Sequence, residues 1–233
     1  MTRKKIVCMS AGLILGLVLF AAASAMKSMR TQDEWDGGPY KLEEVNALDA
    51  RFARPYDKAL DDLGTGMVLA ANAIACCAVA MISFCKTKEK KKAFGTLLLD
   101  AMTYLACGLY SCGVYKILKN LAGRLRPYMY FPNPSIKGVA EGDFCRSWPS
   151  GHSSFAFMAF AFMVCWFAAR YPRSGLRKPA LCFFLLAGLC TMALRMLSGN
   201  HFLTDVLSGA ALGFLVSALV FRVSNAILGR NQS

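Results

Sequence analysis

The chain is short of acidic residues and of the side chains that usually hold metals: 14 aspartates and glutamates stand against 27 lysines and arginines, and there are only two histidines. With no cysteine beside those histidines and no cluster of carboxylates, a zinc site has few ligands to draw on. A His and an Asp at one-turn spacing keep a metal open as an alternative. Of the ten cysteines, nine fall in apolar runs, where cysteine acts as a small hydrophobe, and only Cys145 lies in a loop. No disulfide framework can be read from that distribution. No internal repeat or low-complexity tract is evident, and no RNA- or DNA-binding motif accompanies the basic residues, which argues against nucleic acid as a partner.

What the chain has in abundance is apolar sequence. A hydrophobic content of 56% with a mean hydropathy of +0.40 is too high for a soluble protein of this size. Six stretches have the roughly 20 apolar residues that an α-helix needs to cross a bilayer: Ile6 to Met26, Thr65 to Cys85, Gly95 to Leu118, His152 to Ala169, Ala180 to Ser198 and Phe202 to Phe221. Most connections between them are short. The expected fold is therefore all-α, one six-transmembrane-helix bundle over residues 1–233, with no separate soluble domain.

The net charge of +13 has a location. Placing the N-terminus inside puts Arg3, Lys4, Lys5, the lysines at 86, 88, 90, 91 and 92, Arg170, Arg173, Arg177, Lys178, Arg222 and Arg230 on the cytoplasmic side, against the single acid Glu89. Those residues account for the whole excess, which is the positive-inside pattern and predicts both termini in the cytoplasm. The first span also has features of a secretory signal, a basic start and Ala23-Ser24-Ala25, but its 21-residue apolar run is long for one, so a retained anchor is expected.

Two outer segments are informative. In the first, Trp35-Asp36-Gly37-Gly38-Pro39 is turn chemistry, and apolar residues at three- and four-residue spacing from Leu42 to Leu63 predict one amphipathic outer helix, read first as a solvated connection that caps the bundle and otherwise as a helix lying along the interface beside a lipid entrance. In the second, Lys119 to Gly151, the aromatics Tyr128, Tyr130, Phe131, Phe144 and Trp148 read as an aromatic belt. The glycosylation-type triplet Asn231-Gln232-Ser233 falls on the predicted cytoplasmic tail.

Both histidines fall at the outer ends of spans, at one membrane level: His152 after Pro149-Ser150-Gly151, and His201 after Gly199-Asn200. A histidine alone at a helix end is ordinarily an interfacial polar residue. Here Asp205 follows His201 by four residues, which on a helix places a carboxylate on the same face. It can fix the ring's tautomer and leave the other nitrogen free as a nucleophile. Lys119 and Arg126 are two helical turns apart and would project from nearly one face if the third span continues, with Pro127 then ending or kinking it; cations in such places also simply snorkel. Arg195 closes the fifth span, where the Gly199-Asn200 turn would fold it back beside His201. Ser150 is an expected N-cap, and the first amides of the fourth helix attract anions. Three cations, a helix N-terminus and two imidazoles make an oxyanion site with a nucleophile and an acid, as phosphoryl transfer without a metal requires.

These residues resemble the signature of the type 2 phosphatidic acid phosphatase superfamily, which includes lipid phosphate phosphatases and vanadium haloperoxidases. The matching parts are Lys119-Asn120-Leu121-Ala122-Gly123-Arg124-Leu125-Arg126-Pro127, then Pro149-Ser150-Gly151-His152, then Arg195, His201 and Asp205. The resemblance implies a metal-independent lipid phosphatase with no cofactor, in a bacterial inner membrane, its site on the outer face. His201 would form a phosphohistidine, Asp205 orient it and His152 protonate the leaving oxygen, while Lys119, Arg126, Ser150, Gly151 and Arg195 hold the phosphate oxygens. Leu194 stands where the family pattern has Ser, which removes one hydroxyl and implies altered affinity or substrate preference. Transfer of the phosphate to an alcohol or second lipid, and a non-catalytic lipid-binding or transport bundle, are the competing readings. Asp100, inside the third span, is expected to make a helix-packing hydrogen bond.

Overall fold

A computed structural model describes residues 3–29, 35, 37 and 39–229. The side chains of Arg3, Lys4 and Lys5, together with Asp36, Gly38, Arg230 and the triplet Asn231-Gln232-Ser233, lie outside the described residues. Among the described residues the regular structure is helical throughout, with no strand: α1 (Arg3–Met29), α2 (Ala47–Phe52), α3 (Lys58–Lys86), α4 (Lys90–Ala122), α5 (Ile136–Ala140), α6 (Gly151–Arg170), α7 (Arg177–Leu197) and α8 (Leu203–Leu228). Six of these are long and apolar enough to cross a membrane, and they overlap the six runs read from the sequence. Helices α1, α4 and α7 finish, and α3, α6 and α8 begin, at one end of the bundle, which also carries α2 and α5.

α6 is the hub, packing on α3, α4, α7 and α8, with α1 laid against α4. Its closest approach is to α8. A Cβ added at Gly209 would strike the Ser150 carbonyl oxygen, and one at Gly213 the Ser154 carbonyl oxygen. Small residues four apart let the two backbones meet, as is usual where helices pack in lipid without a hydrophobic driving force. Away from the shared end, Trp166, Phe162, Phe167 and Phe221 fill a buried aromatic core. There Asp100 accepts from Trp166 Nε1 at 2.8 Å and from Arg170 at 2.7 Å, a helix-packing role with an ion pair added to it.

Two expectations need correction. The Leu42 to Leu63 segment is not one helix. It forms a 3-10 turn at Leu42–Glu44, then α2, then an extended stretch, and α3 begins at Lys58. Pro55 is the physical cause, since it lacks an amide hydrogen and drives Arg54 out of the helical region. Asn46 and Asp57 then cap the two new starts, accepting from Asp49 N and Leu60 N at 3.0 Å each. Nor do all the loop aromatics form a belt. Tyr128 and Phe144 are buried with Met129 and Cys145 in a small second core, flanked by Tyr40 and Tyr56.

Candidate active site

α4 stops at Ala122 because Gly123 takes the left-handed conformation, φ 60°, and returns its amide to Lys119 O. Lys119 therefore sits in the last turn of the helix, while Arg126 lies beyond it on extended chain. The two cations converge because the loop folds back, not because the helix continues. Lys119 Nζ donates to Arg146 O at 2.6 Å. Arg126 pairs with Asp143 and donates to Asn200 Oδ1 at 2.9 Å.

The second part is built by α6. Ser150 Oγ accepts from Ser153 N at 3.4 Å and Ser150 N donates to Asp205 O at 2.9 Å, so the cap is also a bond to α8. The amides of Gly151 and His152 have no acceptor within the helix, as at any α-helix N-terminus. His152 Nε2 lies 3.2 Å from Thr65 Oγ1 on α3.

The third part hangs on Gly199. Its φ of 71° and the carbonyl oxygens of Arg54 and Pro55, which any Cβ would strike, demand glycine there. The turn carries His201 back to Arg195, whose carbonyl accepts the His201 amide at 3.2 Å. Arg195 itself is buried; it pairs with Asp61, and its Nε has no partner among the described residues.

His201 and Asp205 are not on one helix, contrary to the spacing argument: α8 starts at Leu203, and His201 precedes it outside the helix, next to the extended Phe202. His201 is buried, with Nδ1 at 3.7 Å from Asp205 Oδ2, beyond a hydrogen bond. The carboxylate is held instead by Phe202 N at 2.8 Å, by Arg124 at 2.6 Å and by the Ser147 hydroxyl. Burial, then Lys119, Arg126, Arg195 and His152 around it, pushes the His201 imidazole well below its ordinary value of 6.5, so the ring is neutral at neutral pH.

Lys119, Arg126, Gly151, His152 and His201 line one cavity of about 610 Å³. Ser150, Arg195 and Asp205 stand behind that wall. The cavity continues along α3 through Thr65, Val68, Leu69 and Asn72, seven residues or roughly 10 Å into the bundle. Leu194 is turned toward Gly64 of α3 and does not line it. Among the described residues, no three His, Cys, Asp or Glu side chains come together as metal ligands.

Several residues at the site escaped the sequence reading. Arg146 and Asp143 line the cavity, and an acid and a base three apart just before Ser150 were a legible signal. Arg124 lies inside the Lys119 to Pro127 motif as a third cation, where the motif spacing gives it no role. Asp49 and Asp61 had no local signal at all.

The chain is a bundle with six candidate membrane spans in which two imidazoles and several cations surround one cavity. The PAP2 superfamily model matches residues 97–228, and the chain belongs to that superfamily. It is 28% identical over 142 residues to a lipid A 1-phosphatase from Porphyromonas gingivalis, an alignment that covers 60% of this chain but only about a quarter of that relative's length (26%). No solved structure matches the chain.

Proposed function

We propose that this protein is a membrane lipid phosphatase that hydrolyses a phosphomonoester or diphosphate headgroup at the extracytoplasmic face through a phosphohistidine on His201. The observation that carries the reading is that His201 and His152 share a cavity wall with Lys119, Arg126 and the α6 N-terminus. Membership of the PAP2 superfamily and similarity to a lipid A 1-phosphatase support it. The apolar extension past Val68, Leu69 and Phe155 suits an acyl or prenyl chain whose headgroup reaches the cations.

In this mechanism Asp205 takes the proton-bearing Nδ1 of His201, closing the 3.7 Å gap when substrate binds, and Nε2 attacks phosphorus. The P–N bond forms as the P–O bond to the lipid breaks, and His152, protonated from solvent once the bound phosphate anion offsets the surrounding cations, gives its proton to the leaving oxygen. Water, deprotonated by His152, then cleaves P–N and releases inorganic phosphate. Lys119, Arg126 and the Gly151 amide serve the phosphate oxygens from the cavity wall, and Ser150 and Arg195, just behind it, complete the cradle when substrate is bound, with the charge on the equatorial oxygens stabilised by fixed cations and amides. No metal or cofactor enters this scheme, and the partners are the lipid phosphate substrate and the surrounding membrane lipids, not nucleic acid.

The test is phosphate release by purified protein from a panel that includes phosphatidic acid, phosphatidylglycerol phosphate, an isoprenyl diphosphate and lipid A. His201→Ala is expected to abolish release, by about 10³-fold or more, and His152→Ala to cut it by about 10²-fold or more. Full activity in His201→Ala would sink the proposal.

A further inference from the structure

Asp49 is a fully buried carboxylate on the six-residue α2, far along the chain from every signature motif. A short helix has little stability of its own, and a buried carboxylate is tolerated only when its oxygens are satisfied. Asp49 Oδ2 accepts from Arg124 at 2.6 Å, from the Thr204 hydroxyl at 2.6 Å and from Asn46 Nδ2 at 2.8 Å. Its Oδ1 accepts from Thr204 N at 3.0 Å. That last bond caps α8 from another element. The residue at the helix's own N-cap position, Phe202, has no acceptor in its side chain, so the Phe202 amide is met by Asp205 and the Thr204 amide by Asp49.

Arg124 joins this group to the reacting one. Its other nitrogen donates to Asp205 Oδ1 at 2.6 Å and to the Thr204 hydroxyl at 2.7 Å, and its guanidinium lies 4.4 Å above the Phe202 ring. The two oxygens of Asp205 are thereby divided. Oδ1 is tied to Arg124, and Oδ2 is directed to Ser147, to Phe202 N and toward His201. One guanidinium between two carboxylates also leaves the group with one net negative charge. Because Arg124 is shared with Asp49, it draws less on Asp205, which leaves that carboxylate the stronger acceptor for the His201 ring.

We propose that Asp49 is a positioning residue for the reaction, acting through Arg124 to hold the Asp205 carboxylate oriented beside His201. This rests on the nucleophilic role assigned to His201 above. Asp49 touches neither the cavity nor the phosphate, so its effect belongs in turnover and not in substrate binding. Hydrogen bonds from Arg124, Thr204 and Asn46 outweigh burial, which alone would raise the carboxyl, and hold Asp49 below its ordinary value, so it is charged wherever the enzyme is folded at neutral pH.

The test uses the full chain in lipid–detergent micelles, with Asp49→Asn, which keeps the shape and removes the charge, Arg124→Met, and the double variant. Inhibition by orthovanadate reports phosphate-site binding, and thermal melting reports folding. Asp49→Asn is expected to lower kcat about 10-fold while KM and orthovanadate inhibition stay within about twofold of wild type. The double variant is expected to be no slower than Arg124→Met alone, because the two act in series. Unchanged kcat in Asp49→Asn, additive losses in the double variant, or a parallel fall in kcat, orthovanadate inhibition and melting temperature would each overturn the inference. Failure of the wild type to release phosphate from any lipid would overturn the proposed function, and this inference with it.

Discussion

At the scale of single residues, His201 decides what the site can do. A buried imidazole ringed by Lys119, Arg126, Arg195 and His152 has every reason to stay neutral, and a neutral ring is the form that can attack phosphorus. Because its folded-state value lies below the unfolded value near 6.5, the ring remains unprotonated as pH falls through 6.5. The acid limb of kcat/KM is therefore expected below pH 6.5, read from phosphate release across about pH 4 to 8. Stability follows the same sign: the contribution of the neutral buried ring is fully present above the unfolded value and is lost as pH drops toward the folded one. An acid limb at or above 6.5 that does not follow the ionisation of the substrate's own phosphate would mean that the ring is solvated and that its burial does not govern catalysis.

Among the elements, the α6–α8 contact carries the site. Ser150 at the head of α6 bonds to Asp205 near the head of α8, and Gly209 and Gly213 let the helices close on one another beneath that bond. Gly213→Val would force a branched side chain into the Ser154 backbone, which cannot yield as a side-chain tip can. It is expected to destabilise the protein by at least about 2 kcal/mol and to abolish phosphate release, as judged by thermal melting and assay in detergent. Gly95→Ala on α4, where an added Cβ meets nothing within 4 Å, is the matched control and is expected to leave both unchanged. Equal behaviour of the two variants would show that the α6–α8 approach is looser than described.

For the molecule as a whole, the arrangement of six long helices leaves two kinds of end. Apolar side chains such as Leu69, Met81 and Leu215 face outward along the bundle, as a lipid solvent permits, while one end gathers the charged and polar groups of the cavity. The distribution of basic residues predicts which end faces the cytoplasm. In a cysteine-free background, Ile136→Cys, an 88% exposed position on α5, is expected to react with a membrane-impermeant maleimide in intact cells. Gly175→Cys, between α6 and α7, is expected to react only after permeabilisation. The reverse pattern would invert the topology and place the chemistry on the inner face.

Much of this was legible locally. A span is a run of about 20 apolar residues, a property of contiguous sequence, so all six could be read directly, as could the signature residues whose spacing reflects single turns and caps. What failed were the inferences that extended one helix too far. Gly123 ends α4 before Arg126, Pro55 divides the Leu42 to Leu63 segment, and α8 begins after His201. The tertiary structure alone decided which groups share a cavity and which carboxylate meets which cation. Asp49 lies 75 positions from Arg124 and 155 from Thr204, and Asp61 lies 134 from Arg195. No periodicity encodes such pairs, because they are chosen by the cost of burying a charge without a partner once the helices have packed.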